Sequence, residues 1–142
     1  MTNFKMGLGL AAVLFAGTAI AHHSASMFDR DHRMTLTGTV RVFQWTNPHA
    51  YIQLIVPDKK GNPEEWSLEM AAPLYLQQRG WRPSTLKPGD TLTVIISPLR
   101  KMKDRKGGLV FAATDAAGKP IGKPMENGAV SQSIGEVPKT KP

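Results

Sequence analysis

The 142-residue chain contains no cysteine. This absence excludes disulfides, thiolate metal ligands and cysteine nucleophiles. A glycine-rich phosphate-binding motif is also missing, and neither Ser24 nor Ser67 has histidine and aspartate partners at the spacing of a hydrolase triad. The sequence therefore assigns no catalytic residue, and it favours a binding protein over an enzyme.

Charged residues are scarce at the start of the chain, where Lys5 is the only charge before Asp29. An apolar run over residues 6–20 follows, shorter than the ~20 residues of a membrane-spanning helix. The basic start, the short apolar run and the small residues Ala19 and Ala21 are typical of a secretory signal peptide over residues 1–21. Cleavage after Ala21 is the first choice, cleavage after Ala19 is the second, and a buried or membrane-anchoring helix is the alternative to a signal peptide.

The balance of charge is basic, with 18 Lys and Arg against 11 Asp and Glu. Removal of residues 1–21 would take Lys5 with them and leave a formal charge of 17 − 11 = +6 on 142 − 21 = 121 residues, enough for one domain. We expect a periplasmic or secreted protein with no stable membrane anchor after cleavage. Its charge favours an anionic lipid, glycan or protein partner, and nucleic acid is not expected.

The mature chain divides into three parts. Residues 22–33 form a polar leader, residues 34–115 carry the regular pattern, and residues 116–142 predict a flexible tail because they contain few bulky apolar side chains. Alternating and β-branched residues predict five strands, which cover residues 34–45, 49–56, 65–70, 90–99 and 109–113.

A short helix is predicted over residues 72–80, with Pro73 in its first turn and Gly80 at its end. Three strands, a helix and two strands is the element order of an OB-fold. We therefore expect an all-β domain with one short helix, a small OB-fold-like five-stranded barrel, and a β-sandwich fragment is the competing architecture. The predicted core consists of Leu36, Val40, Ile52, Leu54, Trp66, Leu68, Leu92, Val94 and Ile96.

Several short motifs occur in a fixed order: "HHS" at residue 22, "LTGTV" at 36, "FQWTNPHAYIQL" at 43, "RGW" at 79 and "LKPGD" at 86. In this order the chain resembles the small exported bacterial proteins of the DUF6152 family, over residues 22 to about 122. The resemblance implies export and a small β domain and supplies no reaction. His22, His23 and His49 match the family motifs, whereas His32 does not. The basic segment 101–108 is longer and more basic than the family pattern.

The histidines near the predicted mature start suggest a metal site. After cleavage at Ala21, the α-amine and Nδ1 of His22 can chelate one metal ion, and His23 or His49 can add a third nitrogen. An all-nitrogen planar set suits Cu(II), which also ranks highest in affinity among the divalent metals. Two other chelates are open: His23 could bind through its own backbone nitrogen, and cleavage after Ala19 would place His22 third from the amine. A solvated chain start, with His49 capping the turn, is the plain alternative.

A binding module is the competing function. OB-folds bind ligands on the face of their second and third strands, and the predicted ligand face contains Tyr51, Trp66 and Trp81, with Trp81 the most exposed of the three tryptophans. Gln53 and the basic segment would add polar and cationic contacts to an anionic glycan, peptide or protein partner. Glu65 and Glu69 share one face of their strand and are expected to be solvated. A scaffold protein without a small ligand is the third hypothesis.

Overall fold

The computed structural model describes residues 27–103 and 105–125. The predicted signal peptide, His22 and His23 lie outside the described residues. The elements in chain order are β1 (Met34–Gln44), β2 (Tyr51–Pro57), β3 (Pro63–Glu69), α1 (Pro73–Gln78), β4 (Thr91–Pro98) and β5 (Lys106–Thr114). In the described part of the chain, no helix is long and apolar enough to cross a membrane.

The five strands close into a barrel in the order β1-β2-β3-β5-β4. Neighbouring strands are antiparallel except for β3 and β5, which are parallel. This closed barrel, with its helix between β3 and β4, confirms the predicted all-β, OB-fold-like class with one short helix. The sandwich alternative is wrong, because a closed barrel leaves no second sheet to pack against the first.

The interior of the barrel contains all nine predicted core residues, each less than 10% exposed. Alternation along the strands places them there, since successive side chains of a strand point to opposite faces. One irregularity breaks the alternation in β1, where a bulge lies between Val40 and Val42. The extra residue at the bulge allows Val40 and Phe43, three positions apart, to face the same core.

Strand β1 belongs to both halves of the barrel. Its first half, from Met34 to Thr39, pairs with β4, and its second half, from Thr39 to Gln44, pairs with β2. Gly38 lies where the strand passes from one partner to the other, and an added Cβ there would be 2.3 Å from the carbonyl oxygen of Ile55. Only a glycine permits this close approach of the two backbones.

Both ends of the described chain pack against the barrel. At the N-terminal end, Phe28 is 4% exposed and bridges to Leu99 at the end of β4. At the other end, Met125 is 4% exposed and its amide donates to the carbonyl of Phe111. Residues 116–125 therefore differ from the flexible tail expected from their composition, because two apolar side chains, Ile121 and Met125, hold them to the barrel core.

Candidate functional site

His49 lies in the turn between β1 and β2. The Asn47–Pro48 peptide bond in this turn is cis, and the Thr46 hydroxyl donates to the His49 carbonyl at 3.2 Å. Immediately after the turn, backbone hydrogen bonds between Ala50 and the chain that follows β3 fix the start of β2. The turn therefore places the His49 ring beside the end of β3, where its Nδ1 lies 2.6 Å from Glu69 Oε1.

Glu69 is the last residue of β3 and the cross-strand partner of Tyr51. The Tyr51 hydroxyl donates to Glu69 Oε2 at 3.3 Å, while Oε1 contacts His49. The Glu69 side chain is 14% exposed and that of His49 is 38% exposed. A single, mostly buried carboxylate therefore holds both an imidazole and a phenol, and we call these three side chains the His49 cluster.

The protonation of Tyr51 follows from this environment. Burial is the main reason that its pKa lies above the ordinary value of 10.0, and the negative charge of Glu69 and the hydrogen bond to it act in the same direction. The positive charge of Arg105 acts in the opposite direction and lowers the pKa of Tyr51. At neutral pH the Tyr51 hydroxyl is therefore protonated and able to donate.

The contact with Glu69 fixes the orientation of the His49 ring. A carboxylate next to Nδ1 favours the proton on that nitrogen, which leaves the lone pair on Nε2. Among residues 27–103 and 105–125, the hydrogen-bonding contact of the ring goes through Nδ1 to Glu69. No group of three or more His, Asp or Glu side chains within these residues could hold a metal ion. The cluster thus supplies one oriented nitrogen and needs further ligands to complete a metal site.

A second polar feature follows the same face of the barrel. Gln53 Nε2 donates to Gln44 Oε1 at 2.9 Å and to Ser67 Oγ at 3.2 Å, which connects β1, β2 and β3. We call these three side chains the polar row. Val42, the cross-strand partner of Gln53, is 37% exposed beside them. The outer face of β1–β3 therefore combines amide and hydroxyl groups with one apolar side chain.

The ligand-face prediction is wrong for two of its three residues, because both are buried. Trp66 is 5% exposed and Trp81 is 1% exposed, and both belong to the hydrophobic core. Trp66 pairs with Leu54, so it shares the inner face of the sheet, whereas Tyr51 is on the outer face with Glu69. Trp81 turns back into the core because Gly80 has a positive φ and the Trp81 amide donates to the carbonyl of Leu76.

The sequence interpretation also missed part of the site. Glu65 and Glu69 share an outer face, as predicted. Glu65 is solvated as expected, with its side chain 44% exposed and paired with Arg41 at 2.7 Å. Glu69 is not, because its side chain is 14% exposed and belongs to the His49 cluster. The strand register places Glu69 opposite Tyr51, and Tyr51 lies two residues after His49. This register is the signal that identifies Glu69 as their common partner.

The basic loop between β4 and β5 lies beside this face. Lys101, Lys103 and Arg105 are exposed. Lys106 differs from them, because its ammonium group contacts Glu64 and lies 5.8 Å from the centre of the Trp66 ring. Three of the four predicted cationic contacts are therefore on the surface, and Lys106 is engaged at the margin of the core.

Together these features define the class: a small OB-fold-like barrel with one open, polar outer face and a histidine–carboxylate pair at its edge. The model of DUF6152, a family of unknown function, matches residues 11–109. The chain therefore belongs to the DUF6152 family. No curated protein matches the chain.

Solved structures that match include two crystal forms of the mitochondrial single-stranded DNA binding protein Rim1 from S. cerevisiae. They are 7% and 8% identical to this chain, with TM-scores of 0.44 and 0.46. Each match covers 60% of this chain, and 94% and 95% of the Rim1 chains. A likeness at this level of identity concerns the fold alone.

Proposed function

We propose that this protein binds Cu(II), with one nitrogen from His49 and the others from His22 and His23. The observation that carries the proposal is the 2.6 Å contact between His49 Nδ1 and Glu69 Oε1. Metal-binding histidines typically donate their second ring nitrogen to a carboxylate, which fixes the ring and makes the free nitrogen a better ligand. Imidazole and amine nitrogens suit Cu(II), the divalent ion with the highest general affinity for such donors.

The position of the leader supports the same proposal. Phe28 forms a β-bridge with Leu99. The Leu99 amide donates a hydrogen bond to the Gly107 carbonyl, and Gly107 pairs with Ser67 of β3. Three strand spacings and two residues along β3 place Glu69 roughly 16 Å from this anchor. His22 lies six residues before Phe28, and six residues reach about 20 Å when extended. The anchor of the leader is thus close enough for His22 or His23 to meet His49.

The proposal includes export and cleavage after Ala21. Only cleavage at that point gives His22 a free α-amine, whereas in the uncleaved chain this nitrogen is a peptide nitrogen. The protein would then hold copper in the periplasm or outside the cell. We propose that it binds, stores or delivers the ion.

The test is an intact mass measurement of the protein recovered from the periplasm, followed by a Cu(II) titration against a competing chelator. We expect a mass that begins at His22 and one tightly bound copper ion. Since loss of a second-shell partner alone costs about 10–100-fold in metal affinity, His22→Ala and His49→Ala should each cost on the order of a hundredfold or more. A mass that begins elsewhere, or full affinity in His22→Ala, would refute the proposal.

His32→Ala is the matched control. His32 is also a surface histidine near the leader, with Nδ1 at 2.8 Å from Asp29, and its side chain is 78% exposed. The proposed site does not use it, so its loss should leave copper affinity unchanged. An equal loss of affinity in His32→Ala and His49→Ala would indicate unspecific binding to surface histidines.

A further inference from the structure

We propose that the outer face of β1–β3 binds an acidic oligosaccharide, with Gln44, Gln53 and Ser67 bonding its hydroxyl groups and Arg105 pairing with its carboxylate. This site is independent of copper. It uses groups outside the His49 cluster, and the metal-free protein would contain it unchanged.

The hydrogen-bonding capacity of the polar row suits sugar hydroxyls. The two donor hydrogens of Gln53 Nε2 are taken by Gln44 Oε1 and Ser67 Oγ. Gln53 Oε1 is left as an acceptor, and the Gln44 amide nitrogen and the Ser67 hydroxyl are left as donors. Donors and acceptors therefore alternate across three strands. Neighbouring hydroxyls of a sugar each donate and accept, so such a row can satisfy both at once.

The surface around the row suits the rest of a sugar ring. Val42 is 37% exposed and lies opposite Gln53, where it can cover the apolar C–H face of a ring. Stacked bases would need exposed aromatic side chains, and Trp66 and Trp81 are buried in the core. An added peptide strand would need an open sheet edge, and the barrel is closed. The face thus fits a saccharide better than a nucleic acid or an extended peptide.

The charge near the row favours an acidic sugar over a neutral one. Both carboxylates of this face already have cationic or hydrogen-bonding partners: Glu65 pairs with Arg41, and Glu69 contacts His49 and Tyr51. Arg105 is exposed and immediately precedes Lys106, which pairs with Trp66 of β3, the residue next to Ser67 of the polar row. In the segment 100–106, Arg100 pairs with Asp29 and Lys106 pairs with Glu64, and Lys101, Lys103 and Arg105 are further exposed cations. A net positive field therefore borders the row, and a uronate carboxylate would neutralise part of it.

The test uses chelator-treated protein and isothermal titration calorimetry with hexamers of galacturonate, mannuronate and glucuronate. Each is compared with its methyl ester, which keeps the hydroxyls and removes the charge. We expect at least one acid to bind and its ester to bind more weakly. One lost hydrogen bond or charge contact costs about 1 kcal/mol, so Gln53→Ala and Arg105→Ala should each weaken binding about 3–10-fold.

Matched controls lie elsewhere on the same barrel. Thr37→Val removes another exposed cross-strand hydrogen bond, the 2.9 Å contact to Thr93, and Lys59→Ala removes an exposed cation from the β2–β3 hairpin. Neither should change binding. The proposal is overturned if no uronate hexamer binds, if the esters bind equally well, or if Gln53→Ala has no effect. The proposal is also overturned if polyphosphate or oligo-dT binds equally well to wild type and to Gln53→Ala, because that result would indicate general attraction of anions.

The same titration separates this site from the copper site. His22→Ala is proposed to lose copper and should keep its uronate affinity, because His22 is not part of the polar row. If His22→Ala loses both, the saccharide site as proposed is wrong. If copper binding fails in every variant while uronate binding responds to Gln53, the copper proposal is the one refuted.

Discussion

The barrel has two outer faces, and they differ in polarity. The face of β4, β5 and the first half of β1 carries an apolar groove, and residues 120–124 form one wall of it. The groove is lined by Thr35, Thr93, Ile95, Ala112, Ala113, Thr114, Pro120, Ile121, Gly122 and Pro124. The face of β1–β3 instead carries the polar row and the His49 cluster, and its central side chains remain open to solvent.

The difference assigns a role to each face. On the first face, the C-terminal segment removes apolar surface from water, which stabilises the fold. On the second face, polar side chains bond to each other and keep spare donors and acceptors that contribute little to stability. The apolar surface that Ile121 and Met125 cover is structural, whereas the polar row is uncovered and keeps donors and acceptors that a ligand can use. Strand β1 connects the two faces. A substitution at its midpoint should therefore have the largest effect on the stability of the fold.

The largest effect is expected for Gly38→Ala. Gly38 lies where β1 changes partner between the two faces, and an added Cβ would be 2.3 Å from the Ile55 carbonyl oxygen, a backbone atom that cannot swing aside. Either the β1–β2 pairing separates or the strand shifts. We expect a loss of about 3 kcal/mol or more in the free energy of unfolding, at the upper end for overpacking, measured by urea denaturation.

Thr39→Ala controls for the change in strand propensity. Thr39 is the next residue of the same strand and its side chain is exposed, so this substitution should stay within about 0.5 kcal/mol. Comparable stability of Gly38→Ala and Thr39→Ala would show that the two halves of the barrel tolerate a wider separation than the structure implies.

An intermediate effect is expected for Met125→Ala, which tests the covered face. Met125 is 4% exposed and packs into the main hydrophobic cluster. Truncation of a buried methionine costs about 2–5 kcal/mol, and Met125, which lies outside the barrel strands where its surroundings can relax, should fall near 2 kcal/mol. Leu74→Ala is the control, because Leu74 is 70% exposed. If both variants unfold at the same urea concentration, the C-terminal segment does not belong to the core.

These two regions also show what the sequence could predict. Alternation in "EWSLEM" and "YIQLIV" places Leu68 and Leu54 in the core, because strand period indicates which residues share a face. The same alternation assigns Trp66 to the core, which is correct, and its second assignment to the ligand face is not. Composition predicts a flexible tail from residue 116 onward, because it counts apolar residues without showing that Ile121 and Met125 each contact the barrel. The prediction of an exposed Trp81 fails for a related reason, since a left-handed Gly80 redirects the chain after the helix.

The site shows the same limit. The "NPH" turn identifies His49 and the position on β2 identifies Tyr51, but the sequence predicts that their common partner Glu69 is solvated. A carboxylate on another strand becomes a partner only through register, and register depends on the turn and on the hydrophobic pattern of both strands. The copper and saccharide proposals therefore depend on cross-strand contacts as much as on residue types.

The smallest expected effect is a change in the pKa of Tyr51, which lies on the outer face of β1–β3. Burial is the largest cause of its raised pKa, and the charge and hydrogen bond of Glu69 add to it. Glu69→Gln should therefore lower the pKa of Tyr51 towards 10.0 without reaching it, and Arg105→Ala should raise the pKa further. The measurement is a ¹³C NMR titration in a Tyr75→Phe background, because the chain has two tyrosines.

The same raised pKa sets the direction of a pH effect on stability. As pH rises past 10.0, Tyr51 loses its proton in the unfolded chain before it does so in the folded protein. The stabilisation is therefore complete below that pH and is lost as pH rises towards the folded-state pKa. Tyr51→Phe should remove this part of the alkaline dependence, and Glu65→Gln, a carboxylate of the same face, should keep it. If Glu65→Gln and Glu69→Gln shift the pKa of Tyr51 equally, the Tyr51–Glu69 contact is not specific. Glu69 is then not the central carboxylate of the His49 cluster.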